Sequence, residues 1–235
     1  QHNSGRRQRQ MCIRDRECDV LNESQKFPSR NIYCVGRNYR SHAIEMGADP
    51  GREKPFFFQK TSDILVKNGS EIIYPEDTCN FQYEVELVVA ISQDAFKVDS
   101  SEAKNKVFGY AVGVDITKRD LQKISKNSGK PWFSAKVFYG SAIISEVVLA
   151  ENSYDPKNIK ISLKVNGERK QFTDCNKMIW NVFELISILS QTVPLKVGDL
   201  IFTGTPAGVG QLQKGDLVEA KLIQNNSTSL TFVVK

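Results

Sequence analysis

An α+β fold that is mainly β is what this chain predicts, on three observations. The stretch Asn80-Phe81-Gln82-Tyr83-Glu84-Val85-Glu86-Leu87-Val88-Val89-Ala90-Ile91 runs into an unbroken apolar segment rich in β-branched residues, which reads as a strand entering a core. Asn-Gly pairs at 68–69 and 166–167 stand between apolar runs, the composition of tight hairpin turns. Apolar residues recur at helical spacing over a long window in one place, 178–191, so helix is the minor component.

Residues 1–16 are set apart before any element is assigned. Arg6-Arg7-Gln8-Arg9-Gln10-Met11-Cys12-Ile13-Arg14-Asp15-Arg16 back-translates without mismatch onto an adapter oligonucleotide used to tag DNA libraries. The segment is therefore read as adapter read-through, disordered and outside the fold. It holds five Arg and one Asp; without it 27 Lys plus Arg face 26 Asp plus Glu, and the net charge drops from +5 to +1. That balance removes the basis for a nucleic-acid arm or an Arg-rich targeting peptide. Residues 17–26 form a leader of undetermined role. The remaining chain of about 210 to 220 residues suffices for one sizeable core, and one domain is expected. No apolar run reaches the roughly 18 residues of a membrane span, so none is expected. The five cysteines are odd in number, widely spaced and without a Cys-x-x-Cys pair. They predict free thiols in a reducing, cytoplasmic setting and no zinc site.

In chain order, 31–35 is a short strand ending at Gly36, and 39–46 is a helical turn or two stopped by Gly47. On that helix His42 and Glu45 stand at i and i+3, on one face. A carboxylate beside an imidazole fixes its tautomer and stabilises its protonated form, as a general base acting on water needs. The ordinary alternative is a surface contact. The other histidine, His2, falls in the excluded segment, so any histidine chemistry rests on His42. The run 56–60 is a strand, and Ile64-Leu65-Val66, Asn68-Gly69 and Ile72-Ile73-Tyr74 resemble a hairpin before the central strand. Asp99-Ser100-Ser101-Glu102 is a capping-box pattern opening a short helix through 106. Residues 107–114 form a strand containing Gly109 and Gly113, where another backbone or a ligand comes close. That strand delivers Asp115 at its end, as a ligand or as a helix cap.

Glu84 and Glu86 alternate with Val85 and so share a strand face. They are either the solvated face of an amphipathic strand or two like charges at a core edge that need a cation between them, which a metal would supply. The polar stretch Lys126-Asn127-Ser128-Gly129-Lys130 is a lid candidate between Asp115 and Lys136. Lys136 itself is either a strand lysine that snorkels or a buried cation aimed at an anion. Runs at 159–165 and 168–172 flank Asn166-Gly167 as a type I′ hairpin. The helix over 178–191 is closed by Pro194 and is core material. The strand from Gly198 opens at Thr203-Gly204-Thr205-Pro206-Ala207-Gly208-Val209-Gly210 into a turn. Its Thr205 hydroxyl and amides suit a carboxylate or phosphate, or simply turn the chain. Two β runs, 217–223 and 229–234, end the sequence.

Together, Gly36-Arg37-Asn38-Tyr39 with His42 and Glu45, Glu84-Val85-Glu86-Leu87, Asp115, Pro131-Trp132 with Lys136, and Thr203-Gly204-Thr205-Pro206 with Gly208-Val209-Gly210 resemble the fumarylacetoacetate hydrolase family. Within it the likeness is to the short single-domain acylpyruvase branch, in unbroken order from Asn31 to Lys235. It departs at Tyr139, where an Asp is common, and at Ala142-Ile143, which lacks a usual Pro; both departures are expected to bear on the pocket wall. The resemblance implies a mixed β-sandwich or β-roll with a few peripheral helices, one catalytic domain over 27–235, a homodimer, and bound Mg²⁺ or Mn²⁺. Three carboxylates with no Cys or second His agree with such a hard cation, and Glu84, Glu86 and Asp115 are the expected ligands. The implied activity is hydrolysis of a C–C bond in acylpyruvates (2,4-diketo acids) to pyruvate and a carboxylic acid. In it His42, oriented by Glu45, activates water and Lys136 neutralises developing negative charge. Thr205 with the Gly204 amide holds the substrate carboxylate, while Arg119 and Gln122 belong to a segment closing over it. Oxaloacetate decarboxylation, isomerisation or decarboxylation of dienoic acids from aromatic ring cleavage, and a silent β-rich scaffold are the alternatives. A small 2-oxo acid is the expected partner, with neither nucleic acid nor membrane.

Overall fold

The computed structural model describes residues 17–49, 51–150, 155–225 and 227–235, so the expectation for 1–16 lies outside the described residues. The largest sheet has eight strands. In order across it lie Phe56–Thr61, Asn31–Gly36, Leu200–Phe202, Val85–Ile91, Val107–Asp115, Ala142–Ile144 and Leu65–Lys67, with Val148–Leu149 also paired to Val107–Asp115. The first and last strands of that order are consecutive in sequence, joined by the 3-10 turn Ser62–Ile64, so the sheet curls and its two edges come together. A five-stranded sheet packs against it, ordered Glu168–Asp174, Lys160–Val165, Leu217–Ile223, Thr228–Val234 and Glu71–Ile72.

Val85–Ile91 runs through the middle and is buried along its whole length. Leu87, Val89 and Ile91 join a core shared with Leu163, Val218 and Phe232 of the five-stranded sheet and with Leu185 and Leu189 of the helix Val182–Ser190. Val88 and Ala90 join a second core inside the curl, with Ile32, Ala111, Ile144 and Phe202. Burial on both faces is why this strand is an unbroken apolar run rather than an alternation. Phe202 fits because its neighbour is Gly113, where a Cβ would meet the Phe202 ring at 2.5 Å. Residues Glu17–Asp19 and Lys26–Pro28 pair antiparallel and lay Cys18 and Phe27 on the second core. The architecture is the mixed, curled β-sandwich that the resemblance implies.

Several local expectations are corrected. Leu65–Lys67 and Glu71–Ile72 do not form a hairpin: the first pairs in parallel with Ala142–Ile144 in the large sheet, the second in parallel with Thr228–Val234 in the other. The Asn68-Gly69 turn crosses between sheets, anchored by Gly69 N–H to Thr231 O at 2.8 Å and Thr231 N–H to Asn68 Oδ1 at 2.7 Å. Asp99 precedes the short helix Ser100–Ala103 but its side chain makes no cap bond. The long helix begins at Val182 rather than 178, because Asn181 and Glu184 form a capping box there. The hairpin at Asn166-Gly167 has positive φ at both residues, as a type I′ turn requires. Among the described residues, Cys18, Cys34, Cys79 and Cys175 are free thiols, and no helix is long and apolar enough to cross a membrane.

Candidate active site

Strand register assembles the acids. In the antiparallel pairing of Val85–Ile91 with Val107–Asp115, Val85 faces Val114 and Glu86 faces Gly113. One step further along, Glu84 lies beside Asp115, whose N–H donates to the Glu84 carbonyl at 2.9 Å. Alternation then places all three carboxylates on one face, that of Val88 and Ala90. Glu84 stands at a break in the strand, since Phe81–Tyr83 belongs to a small separate sheet with Thr117–Lys118 and Gly210–Gln211. At that break the Val85 N–H donates to Gln171 Oε1 at 2.9 Å.

One ligand oxygen from each of Glu84, Glu86 and Asp115 lies within 4.8 Å of the others, and all three residues are buried. Their compensation is uneven. Lys136 Nζ donates to Glu84 Oε2 at 2.9 Å, to Asp115 Oδ2 at 2.8 Å and to Thr117 Oγ1 at 2.6 Å, while Arg119 donates to Glu84 Oε1. Burial pushes the Glu84 carboxyl up, but the charges of Lys136 and Arg119 outweigh it and hold Glu84 well below the usual carboxylate range. Glu86 receives the Gly204 N–H at 2.7 Å and, among the described residues, forms no ion pair. Burial first, then the charges of Asp115 and Glu84, push its carboxyl well above the usual range. For Lys136 burial works against the ammonium, yet Asp115 and Glu84 prevail and raise it. Lys60, fully buried, brings Nζ to 2.7 Å from Asp115 Oδ1 but aims its protons at Ser141 O (2.7 Å) and Ile116 O (3.4 Å). Asp115 Oδ1 thus meets Lys60 as an ion pair and, among the described residues, accepts no hydrogen bond. That oxygen, which meets only the Lys60 charge, and the underpaired Glu86 are the atoms a further cation would satisfy, and three hard carboxylate donors fit Mg²⁺ or Mn²⁺.

Glu84 and Glu86 open onto a cavity of about 630 Å³, its solvent-open mouth included, and the fully buried Asp115 lies behind its lining. His42, Glu84, Glu86, Arg119, Gln122, Lys136 and Thr205 line it, so seven residues singled out in the sequence converge on one space. His42 is buried on the helix Arg40–Glu45, with Nδ1 3.1 Å from Glu45 Oε2. The other Glu45 oxygen accepts the Gly208 N–H at 2.9 Å, which ties the dyad to the glycine-rich turn. Phe56, Phe58 and Trp132 form an apolar wall, the Trp132 ring edge-on to both phenyl rings at 5.5 and 6.1 Å. Thr205 Oγ1 accepts from Gln171 Nε2 at 2.9 Å, which leaves the hydroxyl proton free to donate elsewhere. The Gly204 amide, expected to hold substrate, is spent on Glu86. Arg119 is likewise engaged, donating to Gln82 at 2.8 Å and Gln122 at 2.6 Å as well as to Glu84.

A family model described as "Fumarylacetoacetate (FAA) hydrolase C-terminal" matches residues 31–234. The chain belongs to the fumarylacetoacetate hydrolase family. It is 39% identical over 183 residues to fumarylpyruvate hydrolase of Ralstonia sp, covering 78% of this chain and 95% of that protein. It is also 39% identical over 206 residues to the mitochondrial oxaloacetate tautomerase of Homo sapiens, covering 88% and 92%. Among solved structures, fumarylpyruvate hydrolase from Pseudomonas aeruginosa in complex with Mn²⁺ and pyruvate superposes with a TM-score of 0.88 at 41% identity. That match covers 93% of this chain and 96% of the other.

Within this member of the family, some expectations shift. Lys136 lies on the helical turn Phe133–Lys136, buried, and is a cation among anions rather than a snorkelling strand residue. The polar stretch 126–130 is the end of the helix Arg119–Asn127 and the turn after it, with Lys126 facing the cavity. Tyr139 is 74% exposed and Ala142 and Ile143 are wholly buried, and none lines the cavity, so these departures do not shape its wall. Sequence reading missed Lys60, Thr117 and Gln171. For Lys60 a signal existed, a lysine closing the apolar strand 56–60, of the same kind that marked Lys136.

Proposed function

We propose that the chain is a divalent-cation-dependent hydrolase of acylpyruvates, releasing pyruvate and a carboxylic acid. The observation that carries this reading is a single cavity lined by Glu84 and Glu86 of the carboxylate triad and by a histidine whose far nitrogen is pinned by a carboxylate. Glu84, Glu86 and Asp115 would hold the Mg²⁺ or Mn²⁺. When bound, the ion supplies positive charge where the 2-oxo acid binds and the pyruvate enolate develops. Glu45 keeps the proton on His42 Nδ1, which leaves Nε2 to accept a proton from water as its oxygen attacks the distal carbonyl. The bond between that carbonyl carbon and the methylene then breaks, the electron pair passes to the methylene as enolate, and the imidazolium returns the proton. Lys136 stays charged beside the forming oxyanion, and the Thr205 hydroxyl donates to the substrate carboxylate. Pyruvate and Mn²⁺ in the Pseudomonas aeruginosa relative are the product and cofactor this scheme requires, and so support it.

The test is release of pyruvate from acetylpyruvate and fumarylpyruvate with Mg²⁺ or Mn²⁺, and its loss by about 10²- to 10⁴-fold in His42→Ala. Turnover of neither compound, or an unchanged rate in His42→Ala, would overturn it. A second reading, tautomerisation or decarboxylation of oxaloacetate, is favoured by the equal identity to the human oxaloacetate tautomerase. Decarboxylation needs no attacking water, so an oxaloacetate activity of that kind that survives His42→Ala while acylpyruvate hydrolysis disappears separates the two. The family likeness supports a homodimer, checked by sedimentation. The free thiols among the described residues support a reducing, cytoplasmic setting.

A further inference from the structure

The motif Gly36-Arg37-Asn38 takes no part in the reaction above, yet each of its residues is held for a reason. The Phe56 ring lies directly on Gly36, where a Cβ would meet Phe56 Cζ at 2.0 Å. Arg37 adopts φ of +54°, the left-handed region that a non-glycine residue enters only under restraint, and such restraint collects at functional sites. Asn38 supplies the restraint. It is fully buried, donates Nδ2 to Thr203 O at 2.8 Å and Trp180 O at 2.9 Å, and accepts the Trp180 N–H at 2.8 Å. The result stations the exposed Arg37 guanidinium over the Phe56 ring, 5.3 Å from its centroid, at the rim of the cavity.

Charge in this cavity divides by depth. On the floor, Lys136 and Arg119 line the cavity and each lies against a carboxylate of the triad, with Lys60 buried behind them on Asp115. On the rim, Arg37 and Lys126 line the same cavity and form no ion pair among the described residues. Between floor and rim runs the apolar wall of Phe56, Phe58 and Trp132. A floor that takes a 2-oxo acid, an apolar wall and a free guanidinium beyond it complement a molecule with a negative group at each end.

We propose that Arg37 is a specificity residue that binds the second carboxylate of a dicarboxylic substrate, at the far end of the acyl chain. This rests on reading the floor as a 2-oxo acid site. The guanidinium offers paired donors matched to a carboxylate, and the ring beneath fixes its plane. An acyl group ending in a carboxylate is held at both ends, whereas an acetyl group stops short of the rim.

Binding tests this without turnover. Calorimetric titration in saturating Mg²⁺ compares 2-oxoheptanedioate with 2-oxoheptanoate, equal in chain length and differing in the terminal carboxylate. The dianion is expected to bind about 10- to 100-fold more tightly, the worth of a hydrogen-bonded charge pair. Arg37→Met, which keeps an apolar stem on Phe56, should bring the two within about threefold while leaving the monoanion within about twofold, and Arg37→Lys should fall between. Absence of a preference in the unaltered protein, or equal weakening of both ligands in Arg37→Met, would overturn the assignment. A protein that prefers the dianion but hydrolyses no acylpyruvate upholds the role of Arg37 and sinks the hydrolase reading; hydrolysis without the preference does the reverse.

Discussion

Glu84 and Glu86 are two residues apart, both buried and on one face, yet the protein treats them in opposite ways. Glu84 has Lys136 at 2.9 Å, Arg119 and the Thr117 hydroxyl, so its charge is matched from within the chain. Glu86 has one backbone amide. The difference teaches which side of the site stands alone and which is unfinished: the Glu84 side is an internal ion-pair network, and the Glu86 side waits for a charge from outside. Each of the following experiments presses on that division.

The largest effect is expected from Lys136→Met. Its ammonium serves Glu84 and Asp115 together, and its removal leaves two buried anions without their shared cation. Breaking a buried pair from one side costs about 3–5 kcal/mol. Denaturant unfolding in chelator should show that loss, and saturating Mg²⁺ should restore part of it, since the ion brings charge to the same oxygens. A loss below about 1 kcal/mol in chelator would mean that the Glu84 side is not held together by this lysine.

The two acids should also respond to pH with opposite signs. A carboxyl held below its ordinary value of 4.5, as Glu84 is, stabilises the fold above that pH and loses its contribution as pH falls through the folded-state value. Glu86 is held above 4.5, so its contribution is complete below 4.5 and is lost as pH rises through its folded-state value. In chelator, stability should therefore decline as pH rises from 4.5 toward the folded-state value of Glu86, with a slope of up to about 1.4 kcal/mol per pH unit. Glu86→Gln should flatten that decline and raise stability at the high-pH end of it, and Glu84→Gln should instead lower stability at neutral pH. Mg²⁺ should flatten the decline in the unaltered protein and do little in Glu86→Gln. The same slope in both proteins would remove Glu86 as the unfinished side.

Legibility in the sequence follows a related divide. Glu84, Glu86, Asp115 and His42 were visible because each combines an unusual residue type with its own local pattern: acids at the edge of a core run, an acid at a strand exit, a lone histidine one helical turn from a glutamate. What joins them was not visible, because partners across strands carry no mark of each other. Lys60 reaches Asp115 only because the curl brings two edges of one sheet together, which no window around residue 60 contains. Asn68-Gly69 has the same turn chemistry whether its flanking strands pair with each other or, as here, with strands of two different sheets. Local signals can also mislead in strength. The Asp99 pattern leaves its side chain unused, whereas Asn181 with Glu184 caps the long helix in earnest and was masked by the apolar residues from Met178 onward.

The smallest effect expected is also the one that separates scaffold from chemistry most sharply. Gln171 comes from the five-stranded sheet, does not line the cavity, and spends its whole amide: Oε1 accepts the Val85 N–H at the Glu84 break, and Nε2 donates to Thr205 Oγ1 and Pro206 O, each at 2.9 Å. By donating to Thr205 it makes that hydroxyl an acceptor on one side and so a donor toward the cavity. Gln171→Leu leaves a buried N–H and a carbonyl unpaired, at a cost of about 2 kcal/mol, and frees the Thr205 proton to turn inward. The value of kcat/KM should fall about tenfold, through KM where the hydroxyl holds the carboxylate equally in ground and transition states. Thr205→Val decides between the two roles of the amide. If Gln171 acts through the hydroxyl, adding Gln171→Leu to Thr205→Val changes kcat/KM little, whereas a full second loss places its influence at the strand break beside Glu84.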